Sequence, residues 1–143
     1  MEAIGLLASV AQLADYTGTF LLNLYQYYVD VNDAAKCADE LRTQVGLSLS
    51  LLNALNQILP KSLLTQPEYS RLERSLNAVR ELFETYNEKI KPENAKGRRI
   101  LTWPFKKQEI RTLVSSLQEK NTTFQWALTH VQMSGLLLYL LTL

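Results

Sequence analysis

The chain has 143 residues, 47% of them apolar and 20% charged, with a formal net charge of +1 at neutral pH. That length suits one domain, and that much apolar material fills a core without disulfide or metal staples. The near-zero charge argues against a wholly basic nucleic-acid binder; the one cysteine, Cys37, excludes an internal disulfide and points to a reducing, cytoplasmic setting.

The first element is predicted as a helix over about residues 2–29. Ile4, Leu7, Ala11, Ala14, Leu21, Leu24 and Tyr28 form one stripe, and Leu6, Val10, Leu13 and Phe20 widen it over most of the helix. A helix apolar on most sides is either deeply buried or meets lipid. Residues 1–35 carry Glu2, Asp15, Asp30 and Asp33 and no Lys or Arg, so nothing resembles the basic start of a secretory signal. The apolar stretches on either side of Asp15 are each shorter than the roughly 18 residues a membrane span needs. The tyrosines of "LYQYYV" lack the neighbouring cations of a base-stacking platform and are expected to pack at the bundle end.

A second helix is predicted over about residues 33–59, with Asn32 or Asp33 accepting from its first free N–H groups. Leu41, Val45, Leu52, Leu55 and Leu59 mark its core face, and Pro60 stops it. The third, over about residues 67–90, starts with Pro67 in its first turn and carries the clearest seam: Leu72, Leu76, Val79, Phe83, Tyr86 and Ile90. Glu81, Glu84 and Glu88 lie among arginines on that helix and read as a solvated face rather than a carboxylate dyad.

Residues 89–107 hold Lys89, Lys91, Lys96, Arg98, Arg99, Lys106 and Lys107 against Glu93 alone, a basic island on a chain whose remainder is net acidic. The fourth helix is predicted over about residues 104–133, with Pro104 in its first turn. Its core face is Ile110, Leu113, Val114, Leu117, Phe124, Leu128 and Val131. Trp103, Pro104 and Phe105 form a structural anchor that pins the basic loop to the bundle. Ser134-Gly135 is expected to end or bend the helix, leaving residues 134–143, "SGLLLYLLTL", as an apolar tail. No strand alternation is evident, and the whole reads as an all-α, antiparallel four-helix bundle in a single domain, residues 1–133.

Catalytic chemistry is not expected. The chain lacks a Gly-rich phosphate loop, and one His and one Cys do not make a zinc site. His130 and Cys37 read as packing or surface residues. No enzyme activity, cofactor, small-molecule substrate or nucleic-acid partner is predicted.

"MEAIGLLASVAQLADYTGTFLLNLYQYYVDVNDA" and "GRRILTWPFKKQEIRTLVSSLQEKNTTFQWAL" together resemble the N-terminal domain that precedes NACHT-type NTPase modules in fungal STAND (NLR-like) receptors, a HeLo-like group. The likeness rests on the cation-poor apolar opening, the "YYVDVNDA" turn, the basic loop and the W-P-F-K-K-x-E start of the last helix. It implies a four-helix bundle acting as a cell-death or innate-immunity effector through oligomerisation and membrane targeting by the first helix. Gly5, Leu6, Val10, Leu13, Gly18, Phe20 and Leu21 are then the candidate membrane or oligomer face. Lys96, Arg98, Arg99, Lys106 and Lys107 are the candidates for meeting anionic headgroups. The expected partners are further copies or related domains, with an anionic membrane on activation. The alternative is a non-lytic adaptor that binds like domains or a downstream effector. The 143 residues hold no NACHT module, and "SGLLLYLLTL" has no counterpart in the family pattern. An excised domain, a truncated homologue and a stand-alone partner all fit those facts.

Overall fold

The computed structural model describes residues 3–28, 33–59, 65–90 and 101–143. They form four α-helices: α1 (Ala3–Tyr25), α2 (Asp33–Ile58), α3 (Gln66–Ile90) and α4 (Lys107–Thr142). Two two-residue strands, β1 (Tyr27–Tyr28) and β2 (Leu101–Thr102), pair in parallel, Tyr27 opposite Leu101 and Tyr28 opposite Thr102. This small ladder corrects the expectation of a strand-free chain and ends α1 earlier than residue 29. It joins the end of the first helix to the lead-in of the last, a pairing between distant segments that local periodicity does not encode.

Helix directions follow from named contacts. Leu49 of α2 packs on Gly18 of α1, and Leu21 of α1 packs on Gly46 of α2, each 4.0 Å from where a Cβ would stand. Arg42, a turn and more before Gly46, reaches the carbonyl of Leu24 at the end of α1, so residue numbers fall along α2 as they rise along α1 and these two helices run antiparallel. Lys89 at the end of α3 meets Glu109 at the start of α4, and Glu68 meets His130, so this pair is antiparallel as well. The two pairs sit side by side with α1 along α3, Phe20 on Phe83, and α2 along α4, Gln44 and Ser48 on Asn121. Those two faces are parallel, which the expectation of antiparallel neighbours throughout does not describe. The α2–α4 face is the most extensive among the described elements.

The core holds the seams of α2 and α3 as read from their spacing: Leu41, Val45, Leu52, Leu55, Leu72, Leu76, Val79 and Phe83 are all buried. Leu113, Leu117 and Phe124 of α4 join them. In α1 the fully buried line is Leu6, Val10, Leu13, Thr17, Phe20 and Leu24: it runs through the residues expected to widen the stripe, joined by Leu24 of the stripe itself, while Leu7 and Leu21 are only partly buried. Thr17 completes it because its hydroxyl donates to the Leu13 carbonyl at 2.7 Å, which removes the penalty for burying a polar group.

Both ends of α4 differ from expectation. Pro104 lies outside the helix, which begins at Lys107. Residues 103–105 are not helical, and Trp103 and Phe105 pack against each other at 5.3 Å between ring centroids. The Lys106 N–H donates to Glu109 Oε1 at 3.0 Å, which fixes the start of α4 after that lead-in. At the other end the helix continues through Ser134-Gly135 to Thr142. An interior glycine costs a helix about 1 kcal/mol, and the leucines that follow have the propensity to carry the helix past it.

Candidate interaction site

The described surface offers three places where side chains converge. The first is the end of the bundle where α1 stops. There Trp103 is half-buried and packs edge-on against Tyr27, with Phe105 on its other side. The Arg42 guanidinium lies over the Trp103 ring at 5.3 Å and over the Tyr25 ring at 4.9 Å. Arg42 Nη2 donates to the carbonyls of Leu24 at 2.9 Å and Tyr27 at 3.1 Å. The Leu24 carbonyl is in the last turn of α1, where a cation is favoured, and that of Tyr27 is in β1 just beyond. The Tyr27 hydroxyl donates to the Lys89 carbonyl, so α1, α2, α3 and the start of α4 meet at one point. The anchoring expected of Trp103 and Phe105 is therefore made around Arg42, a residue the sequence reading passed over. Arg42 sits in an ordinary helical polar position, and only the fold brings the α1 carbonyls to it.

Beside this cluster Lys106 and Lys107 are exposed. Lys96, Arg98 and Arg99 lie outside the described residues. Lys89 is paired with Glu109, whose carboxyl is held below its ordinary value, first by the hydrogen bond from Lys89 and then by the Lys106 N–H.

The second place is the opposite end of the α3–α4 pair. Thr65 and Glu68 exchange backbone-to-side-chain hydrogen bonds at 3.1 and 3.4 Å, a capping box that starts α3. Glu68 also meets His130 of α4. Its carboxyl is lowered, chiefly by hydrogen bonding to the Thr65 side chain and further by the Thr65 N–H and His130, with desolvation opposing. The Trp126 ring is stacked on His130 at 5.4 Å and covered by the Arg71 guanidinium at 4.4 Å. Among the described residues no group of three or more His, Cys, Asp or Glu side chains is arranged to hold a metal ion.

The third is the apolar end of α4. Val131 is the last buried residue of the helix. Beyond it Met133, Leu136, Leu137, Leu138, Tyr139, Leu140, Leu141 and Leu143 are all exposed, from 49% at Leu138 to 84% at Leu143. A groove between α2 and α4, with Leu47, Leu51, Trp126 and Met133 in its walls, runs up to this segment.

The candidate face on α1 has a different location. Leu6, Val10, Leu13 and Phe20 are in the core; Leu21 is partly buried against Gly46, and Gly18 receives Leu49. Gly5 is exposed, as is Asp15. Among the described residues no helix is long and apolar enough to cross a membrane. No known family pattern, no curated protein and no solved structure matches the chain.

Proposed function

We propose that this domain is a helical signalling module that works by binding other protein helices. It would serve as the N-terminal interaction domain of a STAND (NLR-like) receptor or of a stand-alone partner of one. The observation that carries this reading is where the exposed apolar surface lies. It is concentrated on the last turns of α4, outside the bundle, where a partner reaches it without any rearrangement. The resemblance of the opening and of the basic-loop segment to such receptors supplies the receptor class.

A second reading is a membrane-active effector that releases α1. The cation-poor, Leu-rich sequence of α1 and the exposed lysines at positions 106 and 107 favour it. Its energetic demand is high. Leu6, Val10, Leu13, Phe20 and Leu24 are each at most 1% exposed. At about 2 kcal/mol per side chain their withdrawal costs roughly 10 kcal/mol, which is comparable with the whole stability of a typical domain. Release of α1 is therefore unfolding of the bundle unless an assembly or a bilayer compensates.

Dye leakage from anionic vesicles separates the two, combined with capture on an immobilised related bundle. The interaction reading expects capture and intact vesicles. Leakage at low protein concentration that is abolished by Leu21→Lys, in a variant shown by circular dichroism to stay folded, would favour the effector.

A further inference from the structure

We infer that the end of α4 is a self-association surface, on which two copies of this chain pair antiparallel and cross at Ser134-Gly135. The inference rests on the interaction reading above and names both the surface and its occupant. Three observations converge on it.

The first is area. Seven side chains from Met133 onward are more than half exposed: Met133, Leu136, Leu137, Tyr139, Leu140, Leu141 and Leu143. They ring the helix and present on the order of 700 Å² in all at about 100 Å² each; a partner covers about half of that, and with the matching surface of its own groove each copy buries an area that approaches the ~800 Å² per partner of a stable interface.

The second is Gly135. A side chain there would meet nothing within 4 Å, so no packing among the described residues calls for glycine. It nonetheless costs the helix about 1 kcal/mol relative to alanine. A glycine beside a serine in the middle of an exposed apolar helix lets a second helix backbone approach closely. An antiparallel crossing at that point is self-complementary, as a two-fold interface must be. It sends the terminal leucines of each copy along the partner's α4 toward the groove with Leu47, Leu51, Trp126 and Met133 in its walls.

The third is charge. From Asn121 to Leu143 there is no Asp, Glu, Lys or Arg. Two identical segments therefore meet without repulsion. An interfacial lipid-binding helix carries cations along its polar face, and this one has none.

The test uses the whole 143-residue chain in sedimentation velocity over a concentration series reaching about 100 μM, where an interface of this size associates. A dimer is expected. The double variant Leu137→Glu/Leu140→Glu changes only exposed positions; it should sediment as a monomer with unchanged helical circular dichroism. Gly135→Ala gives opposite signs for the two roles of the residue. It should raise the melting temperature at concentrations where the chain is monomeric and weaken the dimer about tenfold. A wild-type chain that stays monomeric, or a dimer indifferent to both variants, overturns the proposal. So does a monomeric chain that floats with neutral vesicles and loses flotation in the double variant, because lipid is then the occupant. Capture on a related bundle, which tests the interaction reading, does not depend on any of these results, so failure of this surface and failure of that reading are told apart.

Discussion

Arg42 shows how much a single side chain can hold together here. It sits in α2, donates to the Leu24 carbonyl in the last turn of α1 and the Tyr27 carbonyl in β1, and stacks on Tyr25 and Trp103. Arg42→Ala should destabilise the bundle by about 2 kcal/mol in a urea melt, because the carbonyls of Leu24 and Tyr27 lose a charged donor. Arg42→Lys should restore less than half of that, since an ammonium does not reproduce a planar guanidinium lying between two rings. Two carboxylates set an acid limit. Glu68 and Glu109 have folded-state pKa values below the ordinary 4.5. Each therefore adds stability above the ordinary carboxylate range, and that contribution is lost as the pH falls through the lowered folded-state value. Glu109→Gln should cost about 0.5 kcal/mol at neutral pH, in keeping with a partly exposed pair at the surface. The gap between variant and wild type should close on acidification; a gap that persists at low pH would mean the pairing with Lys89 contributes nothing.

At the level of elements, legibility followed periodicity. The seams of α2 and α3 could be read from apolar spacing, and Leu76, Val79, Phe83, Leu113, Leu117 and Phe124 are buried as that spacing implies. What escaped was polar or irregular. Thr17, Ser48 and Asn121 occupy core positions as polar residues, and their partners are supplied by the neighbouring turn or by another helix. Ser48 and Asn121 form a buried network with Gln44, in which the Ser48 hydroxyl donates to Asn121 Oδ1 at 2.7 Å and Asn121 Nδ2 donates to the Gln44 carbonyl at 3.2 Å. This network joins α2 to α4 across their parallel face. Asn121→Ala should cost about 2–3 kcal/mol, since it leaves buried partners unsatisfied, whereas adding Ser48→Ala to it should cost little more. Fully additive losses in denaturant melts would show that the two residues act independently. Pro104 misled for a related reason. Proline suits a first helical turn, but the aromatic cluster around Trp103 and Phe105 holds this segment out of the helix, and α4 waits until Lys107. The surface at the end of α4 was visible in composition as "LLLYLLTL", yet its continuity with the helix was hidden by Ser134-Gly135, a pair that ordinarily reads as a stop.

For the whole molecule the decisive fact is that the first helix packs on both α2 and α3 with its apolar line in the core, while the last helix outruns the bundle. A domain built this way keeps its least charged helix inside and offers apolar surface at the opposite end of the chain. The two readings proposed above differ in which of the two is used. Leu13→Ala separates them without touching the overhang: it should destabilise the fold by 2–5 kcal/mol, as truncation of a fully buried leucine does, and leave the association of the folded protein unchanged.

The parallel pairing of Tyr27–Tyr28 with Leu101–Thr102 has a further consequence, for motion. Together with Arg42 and the Tyr27 hydroxyl it clasps one end of α1, whereas Leu6, Val10 and Leu13 hold the other half by apolar packing. Such a helix peels from its unclasped end, like a strap riveted at one tip. Native-state amide exchange should therefore show a gradient along α1, with opening free energies lowest near Leu6 and rising toward Leu24. Uniform protection along the helix would mean that it detaches as one piece, and the rivet would then set only where α1 lies, with no say in how it leaves.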